Sequence, residues 1–126
     1  MSDKLPQVIR EYIHAYNAMD VDRMLDCLAE DIHFVNLVGE EETVSVRGKV
    51  AFRNLAEMAC GKMLARQQTV THAITVDRIT LAEIDYTASL ALPASDTNTG
   101  IETISLKGAS LFEIEDGLIL RLIDQS

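Results

Sequence analysis

VIREYIHAYNAMDVDRMLDCLAEDIHFVNLVG, residues 8–39, and GKVAFRNLAEM, residues 48–58, are the two stretches that decide the fold. Apolar side chains recur every three or four residues at the start of the first stretch, which predicts an amphipathic helix. The apolar residues of this helix are Val8, Ile9, Tyr12, Ile13 and Tyr16. Asp20 is a suitable N-cap for a second helix, which is expected to end at Glu30 and Asp31.

Strands dominate the rest of the chain. Ile32 to Val38 is rich in β-branched and apolar residues, which predicts a strand, and a third helix is expected from Lys49 to Leu64. From Gln67 onward apolar and polar residues alternate, as in strands with one covered face. The residues expected to share one face of the first of these strands are Val70, His72, Ile74 and Val76.

Turn signals divide this second part into strands. A turn is expected around Ala82 and Glu83, a loop at Pro93 to Gly100, and a hairpin at Glu115-Asp116-Gly117. The last two strands should run from Ile101 to Ile114 and from Leu118 to Asp124. Helices first and antiparallel strands afterwards predict the α+β class, with helices on one face of a curved sheet. The length of 126 residues and the absence of a linker predict a single domain over residues 1–126.

Composition excludes several classes of function. The net charge of −9 argues against nucleic acid and anionic membrane surfaces as partners, because binding to phosphates needs clustered Lys and Arg. The two cysteines, Cys27 and Cys60, form no metal-binding motif, so we expect neither a metal nor another cofactor. No signal peptide precedes Val8, and no apolar run is long enough to span a bilayer. A cytoplasmic protein is the resulting expectation.

The last strand predicts a homodimer. LILRLID, residues 118–124, is apolar on both faces, whereas a solvent-facing sheet is polar on its outer side. Ile119 and Ile123 are expected to lie opposite the covered face and to pack against a second copy of the chain.

The order of elements resembles the nuclear transport factor 2-like cone, the fold of ketosteroid isomerase and the SnoaL-like polyketide cyclases. The similarity is strongest from Val8 to Gly39, where VDRMLDCLAEDIHF, residues 21–34, follows the family's succession of helix, acidic end and strand. The resemblance implies a cone-shaped, cystatin-like roll, in which three N-terminal helices pack on a curved, mostly antiparallel sheet and leave a pocket between them.

The resemblance also implies which residues line that pocket. The oxyanion-hole tyrosine of ketosteroid isomerase falls at Tyr12, its catalytic aspartate at Asn36, and its second oxyanion donor near Ser110. An amide cannot accept a proton and pass it on, so we expect no ketosteroid isomerisation by that mechanism. The SnoaL-like cyclases place an acid/base aspartate on the last strand, and the corresponding residue is Asp124.

Three residues are candidate catalytic groups. Asp124 would be a base whose pKa is raised by the apolar side chains around it, or else a carboxylate at a frayed chain end. His72 interrupts an apolar face, and an imidazole can serve as acid or base, although His72 could equally be an edge histidine. Tyr12 would donate a hydrogen bond to the substrate, or would be a core tyrosine. The remaining residues expected to line the pocket are Tyr16, Phe34, Asn36, Ser110, Phe112 and Leu122.

Two functions of different classes follow from these residues. The first is binding of a small apolar organic molecule, without a cofactor, and its isomerisation, cyclisation, dehydration or hydrolysis by acid–base chemistry. The second is a non-catalytic module that dimerises or stores a ligand. The pocket of such a module would be filled by its own side chains or by a lipid. The amide at Asn36 favours the second function, and the carboxylate at Asp124 favours the first.

Overall fold

A computed structural model describes residues 5–91 and 100–126 of the chain. The helices are α1 (Gln7–Asn17), α2 (Val21–Asp26) and α3 (Lys49–Gly61). The strands are β1 (Leu28–Val38), β2 (Glu41–Arg47), β3 (Met63–Val76), β4 (Ile79–Ala91), β5 (Ile101–Glu115) and β6 (Leu118–Gln125). The loop expected at Pro93 to Gly100 lies, apart from Gly100, outside the described residues.

The six strands form one sheet in the order β2-β1-β6-β5-β4-β3. The neighbours β1 and β6 are parallel, and the other neighbouring pairs are antiparallel. Helix α1 packs against β3, and α3 packs against β1, so both helices cover the concave face. The predicted architecture of three helices on a curved, mostly antiparallel sheet is therefore confirmed.

The first two helices form where the sequence predicts them. In α1 the buried stripe contains Ile9, Tyr12 and Ile13. The side chain of Asp20 accepts a hydrogen bond from the backbone N–H of Arg23 at 3.2 Å, which confirms the predicted N-cap of α2. Helix α2 ends earlier than predicted, because Leu28 is fully buried and already belongs to β1. None of the described helices has the length and apolar character needed to cross a membrane.

The turn between β3 and β4 lies at Asp77 and Arg78. Asp77 adopts a left-handed backbone conformation with φ of 57°, which aspartate tolerates better than most residues. The turn expected at Ala82 and Glu83 is therefore wrong, and Ala82 is buried inside β4. The hairpin predicted at Glu115-Asp116-Gly117 is confirmed, with positive φ angles at both Asp116 and Gly117.

A β-bulge in β3 changes which side chains face the helices. Val70 pairs with Ile84, whereas His72 pairs with Glu83, so the register shifts between Val70 and His72. A one-residue shift moves every following side chain to the other face. The expectation that Val70 shares a face with His72, Ile74 and Val76 is therefore wrong: Val70 packs against the core, and the other three lie on the convex face.

A second bulge affects β6. Ile114 pairs with Ile119, whereas Glu113 pairs with Arg121, so Leu120 is the extra residue. Ile119 is fully buried in the core, and its expected position on the convex face is wrong. Beyond the bulge the alternation is as predicted, with Leu122 in the core and Ile123 on the opposite face.

An apolar row crosses the convex face of the sheet. Each residue is the cross-strand partner of the next, over five neighbouring strands. The row is Ile74, Leu81, Leu111, Ile123 and Val35. Ile74 is 61% exposed and Leu81 49% exposed, so this end of the row is open to solvent, whereas Val35 at the other end is only 7% exposed.

Candidate active site

The aromatic residues of the chain gather in one region, on the concave side of the sheet. The chain has only three tyrosines, three phenylalanines and no tryptophan. Ring centroids 6.3 Å apart connect Phe112, Tyr12, Tyr16 and Tyr86 in that order. Phe34 and Phe52 form an edge-to-face pair at 5.5 Å. Since aromatics are this scarce, their convergence marks the region where an apolar ligand would find the largest contact area.

Two adjoining chambers open among these rings. The helix chamber, of about 210 Å³, lies between the sheet and α3, and its apolar wall includes Phe34, Phe52 and Leu55. The sheet chamber, of about 230 Å³, lies over β4 and β5. The residues that line both are Tyr16, Asn36 and Asp124. These three side chains therefore stand where the chambers meet.

Asp124 lies in a polar row across three strands. Strand pairing sets Asn36 of β1 beside Asp124 of β6, and Asp124 beside Ser110 of β5. The Ser110 hydroxyl donates a hydrogen bond of 2.7 Å to Oδ1 of Asp124. Burial raises the pKa of Asp124 from 3.8 to about 6, although the Ser110 hydrogen bond acts in the opposite direction. A carboxyl with this pKa exchanges protons readily near neutral pH, as a general base or acid requires.

Two tyrosines of α1 face the same carboxylate. Tyr12 and Tyr16 are four residues apart and so lie on one side of the helix. Burial raises the pKa of Tyr12 well above its usual value, and the charge of Asp124 is the second-largest cause of this increase. Burial and the Tyr86 hydroxyl likewise raise the pKa of Tyr16. Both tyrosines therefore keep their protons at neutral pH and can donate hydrogen bonds into the helix chamber.

Asn36 contributes an amide at the junction of the chambers. Its Nδ2 donates a hydrogen bond of 2.9 Å to Oγ1 of Thr43 on β2, which fixes the plane of the amide. The Thr43 hydroxyl donates in turn to the backbone oxygen of Asn36 at 3.2 Å. The structure thus brings together Tyr12, Tyr16, Phe34, Asn36 and Asp124 around the helix chamber, and Ser110 joins them from the sheet chamber.

His72 does not belong to this site. Its side chain is 84% exposed, and its Nδ1 lies 2.8 Å from Oε1 of Glu83 on the convex face. The expectation that His72 lines the pocket is wrong because the bulge after Val70 turns its side chain away from the helices. His72 is thus not in a position to act on a ligand in either chamber.

Phe112 and Leu122 also differ from expectation. Each is only 1% exposed, and both belong to the hydrophobic core rather than to a chamber wall. Helix α1 covers this part of the sheet so closely that the ring of Tyr12 meets Phe112 edge to face at 6.3 Å. Phe112 therefore supports Tyr12 from below and has no surface left for a ligand.

Arg66 is a residue of the site that sequence reasoning missed. It lies on β3, is only 6% exposed, and lines the helix chamber. Its Nε donates to the backbone oxygen of Tyr16 at 2.7 Å, and its guanidinium carbon lies 3.6 Å from the centroid of the Tyr16 ring. The alternation of Arg66, Gln68 and Val70 on one covered face was the available signal, but two polar residues there suggest an exposed strand.

Among residues 5–91 and 100–126, no group of three or more His, Cys, Asp or Glu side chains is arranged to hold a metal ion. The polar side chains that line the chambers carry hydroxyls, the amides of Asn36, Gln68 and Gln125, the Asp124 carboxylate and the Arg66 guanidinium.

Comparison with known proteins gives a family and a fold. A family model described as a SnoaL-like domain matches residues 9–122. A sequence search of curated proteins gives no significant match.

Solved structures with the same architecture include three of different description. A candidate polyketide cyclase from Xanthomonas campestris is 21% identical over 95% of this chain and 87% of its own, with a TM-score of 0.75. An LEH-like epoxide hydrolase from M. tuberculosis is 16% identical over 95% and 80%, with a TM-score of 0.77. A protein with a ketosteroid isomerase-like fold from Catenulispora acidiphila, in complex with trimethylamine, is 12% identical over 96% and 85%, with a TM-score of 0.77. At these identities the likeness concerns the fold alone.

Proposed function

The chain belongs to the SnoaL-like domain family, and we propose that it binds a small, largely apolar carbonyl compound and transfers a proton at carbon with Asp124 as the base. The observation that carries this proposal is the Asp124 carboxyl. It lies in the wall of both chambers, with its pKa raised to about 6 by burial, beside a hydroxyl that holds its orientation.

Two groups would act on the substrate in this reaction. The Asp124 carboxylate takes a proton from the carbon next to the carbonyl group, and the electron pair of the broken C–H bond moves towards the carbonyl oxygen. The Tyr12 hydroxyl, which keeps its proton at neutral pH, donates a hydrogen bond to the resulting oxyanion. Return of the proton from Asp124 to another carbon gives an isomer. Alternatively, the enolate carbon attacks a second carbonyl carbon in the same molecule and closes a ring, the C=O π electrons move to that oxygen, and the resulting alkoxide takes the proton back from Asp124.

Neighbouring residues would orient these groups without reacting. The Ser110 hydroxyl donates to Oδ1 of Asp124 at 2.7 Å, so Oδ2 would be the oxygen that takes the proton. The amide of Asn36, fixed by Thr43, would offer its oxygen to a polar group of the substrate at the junction of the chambers. Phe34, Phe52 and Leu55 would bind the apolar part of the molecule.

Deuterium exchange tests the proposed base without knowledge of the natural substrate. A panel of cyclic and aromatic ketones and β-keto esters is incubated with the protein in D₂O, and deuterium uptake at carbon is followed by NMR. We expect at least one probe to exchange faster than in buffer, and Asp124→Asn to lower that rate by about 100-fold or more. His72→Ala is the matched control and should exchange like the wild type, since His72 lies on the convex face. Equal exchange by wild type and Asp124→Asn would refute the assignment of the base.

A second proposed property concerns the convex face. We propose that two copies of the chain pack through the apolar row that contains Ile74, Leu81 and Ile123. Burial of this row in a homodimer would remove exposed apolar surface from water. The same face would support the alternative function, a non-catalytic dimerising or ligand-binding module. Cytoplasmic location, as expected from the sequence, stays a prediction.

Light scattering tests the dimer. The wild type should have twice the 13.9 kDa mass of one chain at micromolar concentration. Leu81→Lys puts a charge in the exposed part of the row, beside Ile74 and Leu111, and should give the monomer mass. Val50→Lys, at a 77% exposed position on α3, is the matched control and should leave the dimer intact. A monomeric wild type would exclude the proposed interface.

A further inference from the structure

Arg66 is a buried cation in an otherwise apolar part of the helix chamber. The residue is only 6% exposed. Met24, Met63 and Ala59 line the same chamber. Removing a guanidinium from water is costly unless hydrogen bonds and an opposite charge compensate it. The partners of Arg66 therefore show how far that requirement is met.

The contacts of Arg66 supply hydrogen bonds but no opposite charge. Its Nε donates to the backbone oxygen of Tyr16 at 2.7 Å, and Nη2 contacts the Met24 sulfur at 3.5 Å, a weak acceptor. Neither contact involves Nη1. Within residues 5–91 and 100–126, no carboxylate oxygen lies within 4 Å of the Arg66 nitrogens. This buried arginine has no carboxylate partner although the chain has a net charge of −9.

Asp124 does not act as the missing counter-ion. Both residues line the helix chamber, yet Ser110 is the hydrogen-bond partner of the Asp124 carboxylate. Four described arginines form ion pairs, with carboxylates within 4 Å, and all four lie at the surface: Arg23, Arg53, Arg78 and Arg121. Arg66 is thus distinguished by burial, by its place in a cavity wall, and by the lack of an anion.

We infer that the ligand of the helix chamber carries a carboxylate, which pairs with the Arg66 guanidinium while its apolar body packs against Phe34 and Phe52. The planar guanidinium matches the two oxygens of a carboxylate. Its face stacks on Tyr16 and its Nε and Nη2 each use one N–H on protein atoms, which leaves Nη1 and the second N–H of Nη2 for such a ligand. The carboxylate site is argued independently of the proposed function, and only the position of the reacting carbon of the ligand rests on it. The site narrows the substrate class to small carbonyl compounds that also carry a carboxylate, with the acidic C–H between Arg66 and Asp124.

A matched pair of probes tests this site. Cinnamate and cinnamamide have the same apolar body and differ in one head group, which is charged in the first and neutral in the second. Binding to the purified protein at pH 7.5 is measured by calorimetry. We expect cinnamate to bind about 10-fold more tightly than cinnamamide, because a charge-assisted pair is stronger than a neutral hydrogen bond. Equal affinities for the two probes, or tighter binding of the amide, would overturn the inference.

Variants assign the preference to Arg66. Arg66→Met should abolish the difference between the probes while cinnamamide still binds, and Arg66→Lys should retain part of it. Arg47→Met, at an exposed arginine of β2, is the matched control and should keep the full preference. If Arg66→Met does not fold, Arg66→Lys and the wild-type comparison still decide the question. Preference for cinnamate in Arg66→Met equal to that of the wild type would contradict the site.

The two proposals fail separately. If cinnamate is preferred through Arg66 but deuterium exchange does not depend on Asp124, the carboxylate site is supported and the assignment of the base is refuted. If exchange depends on Asp124 but the protein binds cinnamate and cinnamamide equally, the base is supported and the carboxylate site is refuted.

Discussion

Asp124→Asn should make the protein more stable at neutral pH. Folding raises the pKa of Asp124 from 3.8 to about 6, chiefly through burial, so the ionised form is disfavoured in the folded state. A pKa shift of this size corresponds to at most about 3 kcal/mol of unfolding free energy. The effect on stability is smaller than this limit because Asp124 lines the two chambers and is partly solvated there. We expect the neutral amide to raise the free energy of unfolding at pH 7.5 by about 1–2 kcal/mol, and the melting temperature by about 5 °C.

The pH dependence of stability gives the sharper version of this prediction. Between pH 3.8 and 6 the folded protein holds the Asp124 proton and the unfolded chain has released it. Stability contributed by this group is therefore fully present below the lower value and is lost as the pH rises through the higher one. Urea unfolding from pH 4 to pH 7.5 should show this loss in the wild type and not in Asp124→Asn.

Asp85→Asn is the matched control for the pH series. Asp85 is an exposed carboxylate that accepts a hydrogen bond of 2.8 Å from Nζ of Lys107, and surface pairs of this kind contribute about 0–1 kcal/mol. This variant should be slightly less stable than the wild type and should keep its slope between pH 4 and 7.5. A wild type whose stability is constant over that range, or an Asp124→Asn variant with the same slope, would contradict the prediction. Such a result would also remove the main support for Asp124 as a base.

The helices and the last hairpin could be predicted because their signals are local. The buried stripe of α1, the Asp20 cap and the Asp116-Gly117 turn each depend on residues a few positions apart. The hairpin sets the pairing of β5 with β6 only as far as Ile114 and Ile119, and the bulge at Leu120 is what places Ser110 beside Asp124.

The positions of His72 and Ile119 could not be predicted, because each depends on a bulge. Strict alternation assigns a face to every residue of a strand, but an extra residue breaks it, so the residues before and after the bulge no longer follow one pattern. The extra residue after Val70 displaces His72, which follows the bulge, and the one at Leu120 displaces Ile119, which precedes it. Neither bulge has a glycine or proline to mark it in the sequence. The error matters for function, since it moves His72, a candidate catalytic residue, from the expected pocket to the convex face.

Arg66 could not be predicted for a different reason. Its burial depends on α1, whose last turn offers the Tyr16 carbonyl oxygen to the guanidinium and whose Asn17 binds the backbone of Gln68. These contacts join residues about fifty positions apart in the chain. An arginine on a strand is most often exposed, so only the docking of the helix shows that this one is enclosed.

Gly108→Ala should disturb the site from β5, in the wall of the sheet chamber. A Cβ atom at Gly108 would overlap with the backbone oxygen of Gln125 and lie 3.3 Å from its carbonyl carbon, so β5 and the end of β6 would have to separate. Backbone atoms cannot rotate away as a flexible side chain can, and overpacking of this kind costs about 1–3 kcal/mol. Because Gln125 follows Asp124, the same movement would open the sheet chamber around the carboxylate.

Two measurements on this variant separate local disturbance from general loss of stability. Urea unfolding at pH 7.5 should show the lower free energy of unfolding, and the loss of stability between pH 4 and 7.5 should become smaller, because a more solvated Asp124 has a less perturbed pKa. Gly61→Ala, on α3 with no atom within 4 Å of the added Cβ, is the matched control. It should raise stability by about 0.5–1 kcal/mol through helix propensity and leave the pH slope unchanged. A Gly108→Ala protein as stable as the wild type would show that β6 can move freely, and then the close approach of Gln125 to Gly108 would not be what keeps Asp124 buried.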